Sequence, residues 1–107
     1  MNWTPETLAE ELTKRGEDWA DKNAAADALE EAKKTLLAQI TLSWPQDSMA
    51  KSEAKAKATI DYIRHVESMV EARKQANRAR VRYDSIRSFV EMWRTHESTR
   101  RAEMGFR

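Results

Sequence analysis

The chain has 107 residues with only two glycines, two prolines and 35% charged residues, which points to long regular elements and a mostly helical protein. It contains no cysteine, so disulfide scaffolds and thiolate zinc sites are excluded. The net charge of +1 conceals a division: residues 1–50 carry ten acids and five bases, residues 51–107 eight acids and fourteen bases, so the two halves attract each other.

The expected fold is all-α, a long antiparallel helical hairpin of coiled-coil type that assembles into a dimeric helical bundle. It forms a single domain over residues 1–107. The first arm runs from about 4 to 43. In "TPET", Thr4 can cap the free backbone N–H groups while Pro5 takes the first helical position, where its missing N–H costs nothing. Glu6, Glu10 and Glu11 then suit the positive end of the helix dipole. Gly16 is a candidate break in this arm, with basic residues before it and acids after.

Positions 44–48, "WPQDS", read as a turn, because Pro45 disfavours helical geometry at Trp44. Asp47 or Ser48 can cap the second arm, residues 49–104. No Gly or Pro interrupts it before Gly105, so it is expected as one helix of roughly 80 Å at 1.5 Å per residue.

The arms carry seams. In the first, Leu8, Leu12, Arg15, Trp19, Lys22, Ala26, Leu29, Lys33, Leu36 and Ile40 alternate in steps of four and three, with Ala25, Ala28 and Ala32 beside them. In the second, Ala56, Ile60, Ile63, Val66 and Val70 form one apolar stretch. Ala79, Tyr83, Ile86, Val90 and Trp93 form another, separated from the first by the polar run "RKQANR".

Arginine recurs every seven residues at 73, 80, 87, 94 and 101, beside the second stretch, where a coiled coil places charges that pair with a facing helix. A hairpin turning near Gln46 sets Arg73 near Trp19 and Arg80 near Leu12. The inner arginines then meet Glu6, Glu10, Glu11, Glu17, Asp18 and Asp21. Everything beyond about Ser88 overhangs, and the side chains Tyr83, Ile86, Phe89, Val90, Met92 and Trp93 are expected at a protein interface. That interface implies a homo-oligomer, most simply a dimer, or another protein partner.

Catalytic and cofactor patterns are thin. No H-E-x-x-H, G-x-S-x-G or glycine-rich phosphate loop occurs, and His65 and His96 are far apart, so neither catalytic residues, metal nor cofactor is expected. No apolar run approaches the roughly 20 residues of a membrane span. The opening "MNWTPETLAEEL" lacks the pattern of a secretory leader, and a cytoplasmic location is expected. Glu91, Glu97 and Glu103 interrupt the basic face that a membrane-surface helix would need.

The C-terminal pattern of Tyr83, Ile86-Arg87, Trp93-Arg94-Thr95 and then Glu97 to Glu103, "ESTRRAE", resembles the ends of small helical accessory proteins encoded in phage and prophage genomes. The resemblance covers about the last third of the chain. It implies a phage accessory protein acting beside DNA recombination or replication machinery, and it transfers no catalytic residue. The function expected is non-enzymatic: an accessory or adaptor protein working through helix-mediated contacts and self-association. The alternative is nucleic-acid binding, with Arg87, Arg94, Arg100, Arg101 and Arg107 on phosphates.

Overall fold

Local hydrogen bonding at four points decides where the helices begin and end. The computed structural model describes residues 3–105. In chain order its helices are α1 (Pro5–Thr41), α2 (Met49–Lys57) and α3 (Ile60–Gly105), with no strand among the described residues. The protein is all-α. No helix among the described residues is long and apolar enough to cross a membrane.

At the first point, Thr4 Oγ1 accepts from the Thr7 backbone N–H at 3.2 Å, and the Thr4 N–H donates to Thr7 Oγ1 at 2.8 Å. This is a reciprocal capping arrangement in which a threonine hydroxyl occupies the place usually held by Glu or Gln. Gly16 does not break the helix. It keeps a negative φ inside α1, and its propensity cost of roughly 1 kcal/mol relative to Ala falls within a long helix with many good formers.

At the second point, the amides of Leu42, Ser43 and Trp44 donate to the carbonyls of Gln39, Ile40 and Thr41, tightening the chain into a turn before Pro45. At the third, Ser48 caps α2, its Oγ accepting from Lys51 N at 3.3 Å. Asp47 instead forms ion pairs, 2.6 Å to Lys55 Nζ and 3.8 Å to Lys51 Nζ. The buried Ser52 donates its hydroxyl proton to the Trp44 carbonyl at 3.0 Å, and Lys55 Nζ lies 5.7 Å from the Trp44 ring centre. These contacts lock the corner between α1 and α2.

The fourth point corrects the expectation of one unbroken second arm. The helix stops at Ala58 and Thr59, whose amides donate to Lys55 and Ala56 carbonyls, both at 3.1 Å. Thr59 Oγ1 donates to the Ala56 carbonyl at 2.6 Å and accepts from Tyr62 N at 3.4 Å. One side chain thus closes α2 and caps α3, a break made without glycine or proline.

The chain divides into two units. The first comprises the described parts of Met1–Ala20 and Arg78–Arg107. Its α1 seam, Leu8, Leu12, Arg15 and Trp19, is buried or half-buried, as are Ala79, Tyr83, Ile86, Val90 and Trp93 in α3. The second unit is Asp21–Asn77. The expected seam of α1 continues there: Lys22, Ala26, Leu29, Lys33, Leu36 and Ile40 are all buried or half-buried, whereas Ala25, Ala28 and Ala32 are exposed.

In α3 the second unit departs from expectation. Ile60, Ile63 and Val70 are exposed. Val66 is half-buried as expected, and Tyr62, His65, Met69, Ala72 and Ala76 are covered with it. Tyr62, His65, Met69, Ala72 and Ala76 continue backward the same three-and-four rhythm as Ala79, Tyr83, Ile86 and Val90, so one heptad frame passes through the polar run "RKQANR". The break at Ala58 and Thr59 separates the phase of Ala56 from that of α3.

The buried apolar residues, Leu8, Ala26, Ala56, Ala76, Ala79 and Ile86, are mostly alanines. Alanine lets backbones approach but buries little area, so the internal hydrophobic stabilisation is modest at roughly 25 cal/mol per Å².

Candidate interaction surface on α3

The register of each unit is fixed by polar groups of unlike shape. In the second unit Arg73 donates three hydrogen bonds to α1: Nε to Glu30 Oε1 at 2.9 Å, Nη1 to Asn23 Oδ1 at 2.8 Å and Nη2 to Asp27 Oδ1 at 2.6 Å. The hydrogen bond to Glu30, then that to Asp27, raises the guanidinium pKa above its already high ordinary value. His65 Nε2 lies 2.7 Å from the Leu29 carbonyl oxygen, which can only accept, so this ring nitrogen carries the proton. In the first unit Arg15 Nη1 donates to the Arg82 carbonyl at 3.1 Å while its Nε donates to Glu11 at 2.7 Å. That explains a basic residue at a seam position.

Tyr83 is the centre of the first unit. Its ring is tilted 31° against Trp19 with centroids 5.4 Å apart, Arg87 lies 5.8 Å from its centroid, and Gly16 passes close to its edge. These contacts correct the expected register. Arg73 meets Asn23, Asp27 and Glu30 rather than the neighbourhood of Trp19, and Trp19 meets Tyr83. Among the described residues Arg80 makes no ion pair with the first arm; it pairs with Asp84 of its own helix at 3.7 Å. Arg82 does meet Asp18, at 3.6 Å.

The displaced register carries cover farther along α3 than Ser88. The six side chains expected at an interface therefore separate into two groups. Ile86 is buried, and Tyr83, Val90 and Trp93 are half-buried in the seam of the first unit. Phe89 and Met92 point elsewhere, 40% and 71% exposed. The described residues from Ser98 to Gly105 are all exposed.

The outer arginines divide likewise. Arg87 shares Asp84 at 3.7 Å, and Arg100 pairs with Glu97 at 3.3 Å. Arg94 and Arg101 are exposed and make no ion pair among the described residues. Arg107 lies outside the described residues. No group of three or more His, Asp or Glu among the described residues is placed to hold a metal ion.

The seams of α1 and of α3 beyond Ala79 were readable from the sequence, but the separation of Phe89 and Met92 from Tyr83, Ile86, Val90 and Trp93 was not. The Arg73 clamp, the His65 bond and the Gly16–Tyr83 contact were not. A signal for the first existed in the spacing of Asn23, Asp27 and Glu30, which puts three acceptors on one helical face. Comparison with protein-family models, with curated proteins and with solved structures returned no match.

Proposed function

We propose that the chain is a non-enzymatic accessory or adaptor protein, built as an antiparallel helical hairpin, that self-associates as a dimer and binds other proteins through α3. The hairpin reading is supported by the contacts of the second unit, where the turn at residues 42–48 follows α1 and Leu29 and Asn23 meet His65 and Arg73 in reverse order. The observation that carries the interaction reading is the exposure of Phe89 and Met92 beside a covered seam. Burying a fully exposed side chain of this kind contributes roughly 1.5–3 kcal/mol; the larger part of that is available at Met92 and a smaller part at Phe89, in a chain whose own core is mostly alanine. Work beside phage recombination or replication machinery is the setting implied by the C-terminal resemblance.

Sedimentation equilibrium tests this reading. The expected result is a dimer for the wild type and a shift toward monomer for Met92→Glu, with helicity unchanged because Met92 is exposed. A wild type that stays monomeric at high concentration would remove self-association.

A second reading, nucleic-acid binding through Arg87, Arg94, Arg100, Arg101 and Arg107, is favoured by Arg94 and Arg101, which are exposed and make no ion pair among the described residues. Each phosphate contact steepens the loss of affinity with salt, so binding to a nonspecific DNA or RNA probe should be strongest near about 50 mM salt. No binding there would end this reading.

A further inference from the structure

α3 carries a second coiled-coil rhythm on its outer side. Ser85, Ser88, Met92, Thr95, Thr99 and Ala102 recur in alternating steps of three and four, and every one is exposed. None is charged, although charged residues make up 35% of the chain, which sets this face apart from the rest of the helix. Met92 stands at its middle with Phe89 alongside, and a shallow groove there is lined by Ser88, Glu91, Met92, Thr95 and His96. The Thr95 hydroxyl donates to the Glu91 carbonyl at 3.0 Å and needs no outside partner. Serine, threonine and alanine let a second helix come close, while Met92 and Phe89 supply apolar area.

The charges beside this face identify the occupant. Glu91, Arg94 and Arg101 are exposed and make no ion pair among the described residues, and Asp84 is held by Arg80 and Arg87 only at 3.7 Å. We propose that the face binds the same face of a second copy of this chain, with the two α3 helices antiparallel about a two-fold axis between Met92 and Thr95. The inference rests on the self-association proposed above and specifies its surface and direction.

In that arrangement Met92 packs level with the partner's Thr95, Ser88 with the partner's Thr99, and Ser85 with the partner's Ala102. Arg94 reaches the partner's Glu91, Arg101 reaches the partner's Asp84, and Phe89 meets the partner's His96. The two-fold axis repeats each contact, so Glu91 and Arg94 of both copies form one cluster of alternating charge. In a parallel pair the flank bearing Glu91 and Arg94 would instead face the partner's flank bearing Phe89 and His96, and Arg94 would lose the partner's Glu91; the pairing of Arg94 with Glu91 therefore favours the antiparallel direction.

Because the chain has no cysteine, single introduced thiols report the geometry directly. Ser88→Cys and Thr99→Cys, both at exposed positions, are prepared separately and treated with a short thiol cross-linker, alone and mixed. The expected result is covalent dimer in the mixture at least about tenfold above either variant alone. In the antiparallel pair, like positions are offset by roughly 16 Å along the axis at 1.5 Å per residue. Efficient cross-linking of each variant with itself would overturn the proposal in favour of a parallel pair. A dimer by mass that fails to cross-link in the mixture would also overturn it while leaving self-association intact, and a monomer would remove both. As an independent arm, Glu91→Arg should weaken the dimer by about tenfold or more, and Glu91→Arg with Arg94→Glu should restore it. A double variant as weak as the single one would count against the pairing.

Discussion

A Cβ placed on Gly16 would lie 3.3 Å from Cε2 of Tyr83, tighter than ordinary van der Waals contact. The absent side chain of one helix thus makes the space for a ring of the other, and Trp19 limits how far that ring can yield. The glycine is a packing residue within α1 and not a helix stop.

Substitution at Gly16 should separate helix propensity from packing. Gly16→Ala gains roughly 1 kcal/mol of propensity and loses a comparable part to the displaced ring, so stability should stay within about 1 kcal/mol of wild type. Gly16→Ile cannot fit beside Tyr83 and should destabilise by about 1–3 kcal/mol. Urea unfolding measures both; an isoleucine variant as stable as wild type would show that Tyr83 is not held against α1.

Arg73→Ala should lower the melting temperature, and Arg73→Lys should fall between it and wild type, because an ammonium cannot span three separate acceptors as the guanidinium does. Salt should narrow the difference between wild type and Arg73→Ala, since the pairs are partly exposed. Folding raises the pKa of Arg73, so its contribution is present at every pH below arginine's ordinary range and fades only as pH rises through the still higher folded value. The Arg73→Ala difference should therefore show no dependence on arginine titration at working pH. Melts at low and high salt that leave the variant unchanged would rule out the clamp.

The corner between α1 and α2 depends on Ser52. Ser52→Ala removes the hydrogen bond to the Trp44 carbonyl, which keeps a second donor in Asp47 N at 3.2 Å, so the cost should be about 0.5–1.5 kcal/mol. A larger side chain such as leucine should cost more, because this site is buried. Intrinsic Trp44 fluorescence is masked by the other three tryptophans, so chemical denaturation followed by circular dichroism is the cleaner readout.

Thr59 caps α3 while closing α2. Thr59→Ala should cost about 0.5–2 kcal/mol, the range for losing an N-cap side chain, whereas Thr59→Ser should retain most of the stability. Amide hydrogen exchange gives a local check: protection should fall first around Ile60–Ile63. Equal protection in the alanine variant would mean that the break is held by packing instead.

Much of the helical layout was legible. The cap at Thr4 and Pro5, the turn at Trp44 and Pro45, and the cap at Ser48 follow from backbone chemistry confined to a few residues. The break at Thr59 was missed because threonine capping carries no breaker residue. In α3, attention to strongly apolar side chains selected Ile60, Ile63, Val66 and Val70, of which only Val66 is half-buried; the covered side belongs mainly to Tyr62, His65, Met69, Ala72 and Ala76. Alanine is covered there because it is small, and His65 because a carbonyl of α1 lies within reach of its ring.

The sequence by itself determined that this protein is helical, where α1 begins, where the corner falls, and the rhythm of the seams, because these depend on interactions within a turn or two. The tertiary structure decided the register. A heptad pattern is nearly unchanged when one helix slides past another by a turn, so periodicity cannot choose among such positions. The three acceptors around Arg73, the Leu29 carbonyl opposite His65 and the fit of Gly16 to Tyr83 are specific pairings that make the choice. That choice covers Tyr83, Ile86, Val90 and Trp93 within the chain and leaves Phe89 and Met92 exposed.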